Sequence, residues 1–334
     1  MSRVSRTLRY KVLMAVVLCV VIGWSVLWFV AATIVDRQAE KMEHLAASQG
    51  ATAECADRHV TGFPFRIEVR CQAGTHLGVP GSDVELEGLT VAALVYRPSR
   101  IILEAQSPLR FAAAGAPEVA ADWDLAHLST RLDFAKESVE RLDVEIVDGS
   151  VSAGGALPVT FSEFDLNVRR SPVDPNAMDL AVRAQNLAPQ PDVDTASLAL
   201  RGTLQDGAGL LAGNPQALLG ALLTKGAVFD IEAATFESGD MQLAAAGKLN
   251  LGADGLLNGT IDMAVAGHDQ GVPYMAVLAP QAEQTVSTLL SNILAFAPAA
   301  TIGDRAAKKI SLQIRDGQVR AGILPLFTIP PIRP

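Results

Sequence analysis

Residues 243–265 of the chain read LAAAGKLNLGADGLLNGTIDMAV, and this stretch decides the fold class. On both sides of Asp254-Gly255, apolar side chains alternate with polar ones, which is the period of a half-buried strand. An Asp-Gly pair tolerates the positive φ that a tight turn between antiparallel strands requires. The stretch therefore predicts a β-hairpin with one apolar face. Its apolar positions are Leu243, Ala245, Leu249 and Leu251 before the turn, and Leu257, Ile261, Met263 and Val265 after it.

The same pattern recurs along much of the chain. Further Asp-Gly pairs begin at Asp148, Asp206 and Asp316. We expect each pair to mark a hairpin, and their irregular spacing excludes a strict repeat. The chain is therefore predicted to be mainly β, of the α+β class, with a curled antiparallel domain over residues 57–334. That domain would form a groove, a barrel-like sheet or a β-meander.

Three other stretches of this domain are less regular. Residues 106–124 and 171–195 are rich in Pro, Ala, Asp and Gly, and they predict long loops or irregular edges. The apolar ending at 323–332 contains three prolines and predicts an extended segment.

The first strand of the domain is predicted over residues 61–71, TGFPFRIEVRC. Phe63, Phe65, Ile67 and Val69 share one parity, so we expect them to line an apolar interior, where they would contact lipid if the interior is a groove. The same four side chains would look identical in a filled core. Charged residues hold the other parity, and two interpretations of them remain open. Arg66 and Arg70 either bind a phosphate or carboxylate ligand or, as is more ordinary, pair with Glu68 between them.

Two amphipathic helices are predicted to interrupt the strands. The first begins at Asn214-Pro215 and ends before Gly226, and the second begins near Pro280 and carries an apolar stripe from Val286 to Leu294. Such stripes lie on a membrane, line a lipid site or, most often, pack on a sheet. With a third helical segment counted, the domain would contain two or three packed helices.

The N-terminal region predicts a membrane anchor. Residues 12–35 contain no charged side chain, and about 20 apolar residues suffice to span a bilayer as a helix. A cleaved signal peptide is the alternative, but its apolar region is usually only about 7–15 residues long. Four basic residues precede the span and place residues 1–11 in the cytoplasm. These residues are Arg3, Arg6, Arg9 and Lys11.

The residues that follow the span are then exported, in a bacterium from the inner membrane into the periplasm. Residues 36–56 carry apolar positions at helical spacing, so they predict a helical stalk that Gly50 ends or loosens. The exported part contains two cysteines, Cys55 and Cys71. A disulfide between them would persist in an oxidising compartment and stabilise the fold by about 3 kcal/mol. Two reduced thiols are the alternative, and two thiols without a nearby His pair fall short of a zinc site.

Composition excludes several functional classes. Hydrophobic residues make up 49% of the chain and charged residues 19%, which is not the composition of a disordered protein. The net charge is −9, although the first 11 residues are basic, so the exported part should repel nucleic acid. No cofactor or metal motif is present in the sequence. The one arrangement that suggests carbohydrate chemistry is Asp122-Trp123-Asp124, which is more simply a turn with one buried tryptophan.

Several of these segments together resemble a known family. The quoted residues are Cys55 to Cys71 around GFPFR at 62–66, VYRPSRII at 95–102, Pro108, Trp123, AGILPL at 321–326 and the prolines at 330–331. They resemble the domain of unknown function 2125 family of alphaproteobacterial proteins. This resemblance implies an inner-membrane protein with one span and a periplasmic domain, and it carries over no catalytic residues.

A weaker resemblance concerns mechanism. Residues 229–265, with GKLNL at 247–251 and DGLLNGTI at 254–261, are similar to AsmA-like envelope proteins, which are thought to carry lipids along an apolar β groove. The hypothesis is therefore a non-enzymatic envelope protein that binds or handles lipid. The alternatives are a docking partner of an envelope assembly that binds no lipid and, third, a hydrolase acting on the cell wall.

Overall fold

The computed structural model describes residues 6–48, 50–79, 81–135, 138–188, 194–211, 220, 224–267 and 296–332. It divides into two compact units, Met1–Glu118 and Val119–Pro334, where the sequence suggests a single exported domain. The predicted fold class is confirmed, because antiparallel strands dominate and one long apolar helix lies at the N-terminus. Most of the two predicted amphipathic helices, over 212–219, 221–223 and 268–295, lies outside the described residues.

In unit 1, the residues that the structure describes form the helix and six strands. Helix α1, Arg6–Ser48, continues beyond the apolar run, and Gly50 follows its end with a φ of +75°. The strand bounds are β1 Thr52–Cys55, β2 Arg58–Thr61, β3 Arg66–Cys71, β4 Thr75–Val79, β5 Ser82–Leu94 and β6 Arg97–Ala113. Strand β1 thus occupies the last residues of the predicted stalk.

Strand β5 organises the sheet of unit 1. One edge of β5 pairs with β6, and the other edge pairs with β4 near its start and with β3 near its end. Strands β1 and β2 extend the sheet by pairing with β4 and β3, respectively. All of these pairings are antiparallel, so the β2–β3 turn and the β5–β6 turn lie at the same end of the sheet.

The described residues of unit 2 form thirteen strands. They are β7 Val119–Asp122, β8 Leu125–Asp133, β9 Ser138–Ala153, β10 Val159–Arg170, β11 Met178–Leu187, β12 Ala196–Leu204, β13 Ala227–Ser238, β14 Met241–Leu251, β15 Leu257–Ala266, β16 Ala299–Ile302, β17 Arg305–Arg315, β18 Gln318–Ala321 and β19 Leu324–Thr328. Strands β9 to β15 pair in chain order, β15 then pairs with β17, and β17 continues the meander through β18 to β19. A 3-10 helix, Gly207–Leu211, follows β12.

The Asp-Gly pairs have two different outcomes. Asp254-Gly255 and Asp316-Gly317 lie in hairpins, as predicted. The prediction is wrong for the other two pairs. Asp148 has a φ of +49° in the middle of β9, opposite the break between β7 and β8, and Asp206 leads into the 3-10 helix. In these places, positive φ produces a local irregularity and does not reverse the chain.

Candidate functional site

The sheet of unit 2 has one face on which the paired residues are apolar in three adjacent rows, here called the apolar face. The middle row is Val144, Leu166, Val182, Leu200, Ala234, Ala245, Met263 and Ile310, each paired with the next. One flanking row is Leu142, Val168, Leu180, Gly202, Ile231, Gly247, Ile261 and Leu312; the other is Ile146, Phe164, Ala184, Leu198, Phe236, Leu243 and Val265. Eight strands at about 4.8 Å spacing make each full row roughly 34 Å wide.

Two clusters of side chains near the margins of this face are more deeply buried than its middle row. Val168 and Met178 form a buried cluster with Leu211 of the 3-10 helix. Val265 and Ile310 form a second buried cluster, against which Ala297 and Ala321 pack. The middle row is only half-buried from Val144 through Met263. Among the described residues, nothing covers this row as completely as a close-packed core covers its side chains.

The opposite face of the same sheet is charged. Ion pairs link neighbouring strands along it: Arg169–Asp179 at 3.1 Å, Arg183–Asp165 at 2.7 Å, Lys248–Asp230 at 3.1 Å and Lys309–Asp262 at 3.2 Å. The Asp165 carboxylate raises the pKa of Arg183 through its hydrogen bond. The pKa of Asp262 is lowered, first by a hydrogen bond from Ser311 and then by Lys309. Because ion pairs occur on this face on both sides of β12 while apolar groups form the other face, the sheet is amphipathic.

The row predicted to face lipid in the first strand is divided by the structure. Strand β3 begins at Arg66, so Phe63 and Phe65 lie in a turn and are 50% and 62% exposed. The prediction that these two side chains line an interior is wrong. Gly62, with a φ of +102°, accepts a hydrogen bond from the Arg66 amide at 3.1 Å, which closes a turn where the alternation suggests a strand. Ile67 and Val69 are half-buried in β3, and contact of any of the four with lipid stays a prediction.

The predicted disulfide is confirmed. Cys55 and Cys71 are bonded, and they join the end of β1 to the end of β3. Because β1 pairs with β4 and β3 pairs with β2 and β5, the bond cross-links two strands of one small sheet that do not pair with each other. Cys19, inside the apolar run of α1, is a free thiol.

The apolar helix contacts the sheet of unit 1 along one stripe that begins at Trp24. The Trp24 indole N–H donates to the Pro64 carbonyl at 2.8 Å, and the Trp28 indole N–H donates to the Arg66 carbonyl at 2.8 Å. Trp28 also meets Phe63 edge to face, at 5.5 Å between ring centroids. Further along the helix, Arg58 of β2 pairs with Asp36 at 3.0 Å and with Glu43 at 2.5 Å. These partners come from distant parts of the sequence, so sequence reasoning missed them; the signal was two Trp donors four residues apart, each requiring an acceptor.

A cleft of about 450 Å³ in unit 1 is lined by the charged side chains of β3, which are Arg66, Glu68 and Arg70. Glu68 is only 4% exposed and lies between Arg66 at 2.6 Å and Arg70 at 2.7 Å. The ion-pairing interpretation of these arginines is therefore confirmed, and both are committed to a buried carboxylate. Arg100 also lines the cleft and has no ion pair among the described residues.

The residues considered for hydrolysis line neither the cleft of unit 1 nor the apolar face of unit 2. Asp122 ends β7 and Asp124 precedes β8, and both are exposed, whereas Trp123 between them is half-buried. Within the described ranges, no three His, Cys, Asp or Glu side chains are close enough to hold a metal ion.

The fold and these surfaces define a mainly antiparallel β protein with one helix that is long and apolar enough to cross a membrane. Residues 28–330 match the family described as "Uncharacterized protein conserved in bacteria (DUF2125)", and the chain belongs to that family. No curated protein and no solved structure matches the chain. The family match begins at Trp28, where α1 already contacts unit 1.

Proposed function

We propose that the chain is a single-pass membrane protein of the bacterial envelope that binds lipid acyl chains on the apolar face of unit 2 and catalyses no reaction. The observation that carries this proposal is the half-buried middle row from Val144 to Met263, with ion pairs on the opposite face. An acyl chain suits such a surface because it has no hydrogen-bonding groups to satisfy and can lie along the apolar rows.

The energetics favour occupation of this face. Each CH₂ group removed from water contributes about 0.8 kcal/mol, so contact with a few side chains of the middle row would offset the ordering of a lipid tail. The charged face offers no comparable gain, because burying its ion pairs would cost desolvation. A lipid is therefore directed to one face of the sheet.

The membrane anchor supports an envelope location. Helix α1 contains a segment of mean hydropathy 2.6 with little of it buried, and basic residues precede that segment. By the positive-inside rule, the N-terminus is then cytoplasmic, and the strands of both units are exported. The Cys55–Cys71 bond accords with an oxidising periplasm.

Photocrosslinking in cells expressing the full chain tests the proposal. A diazirine amino acid at Leu200 lies on the apolar face, and the matched control at Ala199, the preceding residue of β12, lies on the charged face. We expect lipid adducts at position 200 and none at position 199, both identified by mass spectrometry. A protein adduct at position 200 would instead support the docking alternative, and an unmodified residue 200 would indicate a filled core.

A further inference from the structure

Helix α1 has two parts that differ in their surroundings. From Leu8 to Gly23 every side chain is exposed. From Trp24 onward one stripe of the helix is covered by the sheet of unit 1. Within this stripe, Trp28 is 5% exposed and Ala32 is 8% exposed. The apolar run of the helix is therefore longer than the part that is free on all sides.

The length of the free part is decisive. Leu8 to Gly23 is 16 residues, which at 1.5 Å per residue gives about 24 Å. The hydrocarbon core of a bilayer is about 30 Å thick, so this part alone is too short to cross it. A helix that spans the membrane must therefore place part of Trp24–Phe29 in the membrane, and the turn that packs there must reach the membrane as well.

The turn carries the side chains that suit this position. Phe63 and Phe65 are 50% and 62% exposed, and Tyr96 of the β5–β6 turn is 61% exposed. The two turns are adjacent, because the Val95 amide donates to the Phe65 carbonyl at 3.0 Å. Aromatic side chains concentrate at membrane–water interfaces, where Trp and Tyr satisfy their polar groups and bury their rings.

Charge next to these turns is positive. Arg97 follows Tyr96 directly and is exposed, and neither Arg97 nor Arg100 has an ion pair among the described residues. The nearest acidic group on β3, Glu68, is already neutralised by Arg66 and Arg70. Arginines beside an aromatic turn are placed to contact lipid phosphates.

We propose that the β2–β3 and β5–β6 turns insert Phe63, Phe65 and Tyr96 into the membrane leaflet from which α1 emerges, so that unit 1 sits directly on the bilayer. The occupant of this aromatic surface is lipid because α1, which enters the same leaflet, is hydrogen-bonded to the turn at two carbonyls. Residues 36–48 of α1 are then a rib packed along unit 1, and they do not act as a free stalk. This inference rests on the proposed function only for the claim that α1 crosses the membrane.

Spin-label depth measurements on the full chain in phospholipid nanodiscs test the inference. In a Cys19→Ser background, a nitroxide is attached at Phe65→Cys or Tyr96→Cys and its accessibility to oxygen and to a water-soluble nickel chelate is compared. The matched control is Val79→Cys, at the last residue of β4, which is 52% exposed and lies at the other end of the same sheet. We expect several-fold lower nickel accessibility at positions 65 and 96 than at position 79.

A fourth label, at Val16→Cys, separates the two claims. A buried label at position 16 with positions 65 and 79 equally accessible to nickel would overturn the seating of unit 1 while leaving the anchor intact. A label at position 16 that is accessible to nickel would overturn the membrane span itself. Formation of the Cys55–Cys71 bond and a β-rich circular dichroism spectrum confirm that each variant is folded.

A second pair of variants examines the tether. Replacing Trp24 and Trp28 by Phe keeps the rings and removes the two indole donors to Pro64 and Arg66. We expect the label at position 65 to become more mobile and its nickel accessibility to rise, with no change at position 79. Unchanged mobility and accessibility at position 65 would contradict the role of these hydrogen bonds in seating the turn.

Discussion

Unit 1 and unit 2 are both built mainly from antiparallel strands, but their apolar side chains are arranged differently. Unit 1 is a small sheet held by a disulfide, by a helix along one side and by a buried carboxylate between two arginines. Outside the helix, the exposed aromatic groups among its described residues lie in two adjacent turns. Unit 2 spreads its apolar groups over a broad face, of which the middle row is half-buried. Local cross-links therefore produce a small braced sheet with aromatic side chains exposed at one end. The open meander of unit 2 instead produces a wide, partly accessible apolar surface.

The largest effect should separate the sealed and the open parts of unit 2. Ile310 and Ile231 both lie on the apolar face, but Ile310, on β17 at the margin of that face, is 7% exposed within a buried cluster, whereas Ile231, on β13, is half-buried. Replacing Ile by Ala in a sealed core costs about 2–5 kcal/mol, so we expect Ile310→Ala to lower the free energy of unfolding by about 3 kcal/mol. Ile231→Ala should cost about half as much, because less surface returns to water. Urea unfolding of the full chain in detergent measures both, and equal losses would mean that the middle of the sheet is as well packed as its side.

The disulfide should matter for unit 1 and little for unit 2. Its two cysteines are 16 residues apart, so removing the bond should destabilise unit 1, by about 3 kcal/mol in the chain-entropy model. Hydrogen exchange of the Cys55→Ser/Cys71→Ser variant should then accelerate in β3 and β5, and remain unchanged in β13 and β14. Cys19→Ser, which removes a free thiol, is the matched control and should change neither region. Faster exchange throughout the chain would show that the two units unfold together.

Arg58 tests whether the last turns of α1 are fixed to the sheet. Its pKa is raised, first by the hydrogen bond to Glu43 and further by Asp36, against the opposing effect of burial. Because the Arg58 side chain is only 17% exposed, we expect Arg58→Gln to cost about 1 kcal/mol, the upper end for a surface ion pair. Amide exchange over residues 40–48 should accelerate. Arg37→Gln changes an exposed charge of the same helix and should leave exchange unaltered; equal effects of both changes would contradict a packed rib.

The smallest expected effect concerns how the stability of unit 2 falls at acidic pH. The pKa of Asp230 is lowered, chiefly by the hydrogen bond from Gln205 at 2.8 Å and then by Lys248. A depressed folded pKa contributes stability above the unfolded value, and that contribution disappears as pH falls through the folded value. Asp230→Asn should therefore cost about 0.5 kcal/mol or less at pH 7, and the difference should decline as the pH falls below about 4.

The comparison for this carboxylate is Asp206→Asn. Asp206 is exposed and has no ion pair among the described residues, so its replacement should leave the pH dependence of urea unfolding unchanged. A stability difference between wild type and Asp230→Asn that persists unchanged at pH 3 would show that the effect is not electrostatic.

The sequence predicts local features of this fold better than distant ones. The alternation at 243–265, the hairpin at Asp316-Gly317 and the pairing of the two cysteines depend on neighbouring residues or on elimination, and all are confirmed. Residues expected to be loops at 106–124 and 171–195 instead contribute to β6 and β11, because pairing with long neighbouring strands overrides weak local propensity.

The candidate surfaces were only partly predictable. Alternation alone extends the first strand back to Phe63, although Gly62 and Pro64 indicate a turn. The binding of Trp24 and Trp28 to the turn joins residues about 40 positions apart, and no local pattern encodes such a contact. The apolar face is predictable strand by strand, but its continuity depends on register, which only the paired structure supplies.

The central claim is that the apolar face of unit 2 is an occupied lipid surface, and a pair of bulky substitutions tests it most directly. Ala245 lies in the middle row between Ala234 and Met263, whereas the adjacent Ala244 lies on the other face, and both are half-buried. Lipid adducts formed by the diazirine at position 200 are counted in Ala245→Phe and in Ala244→Phe. We predict a several-fold loss of adduct in Ala245→Phe and none in Ala244→Phe, because only the first ring covers the apolar face. Equal adduct yields in the two variants would contradict the account.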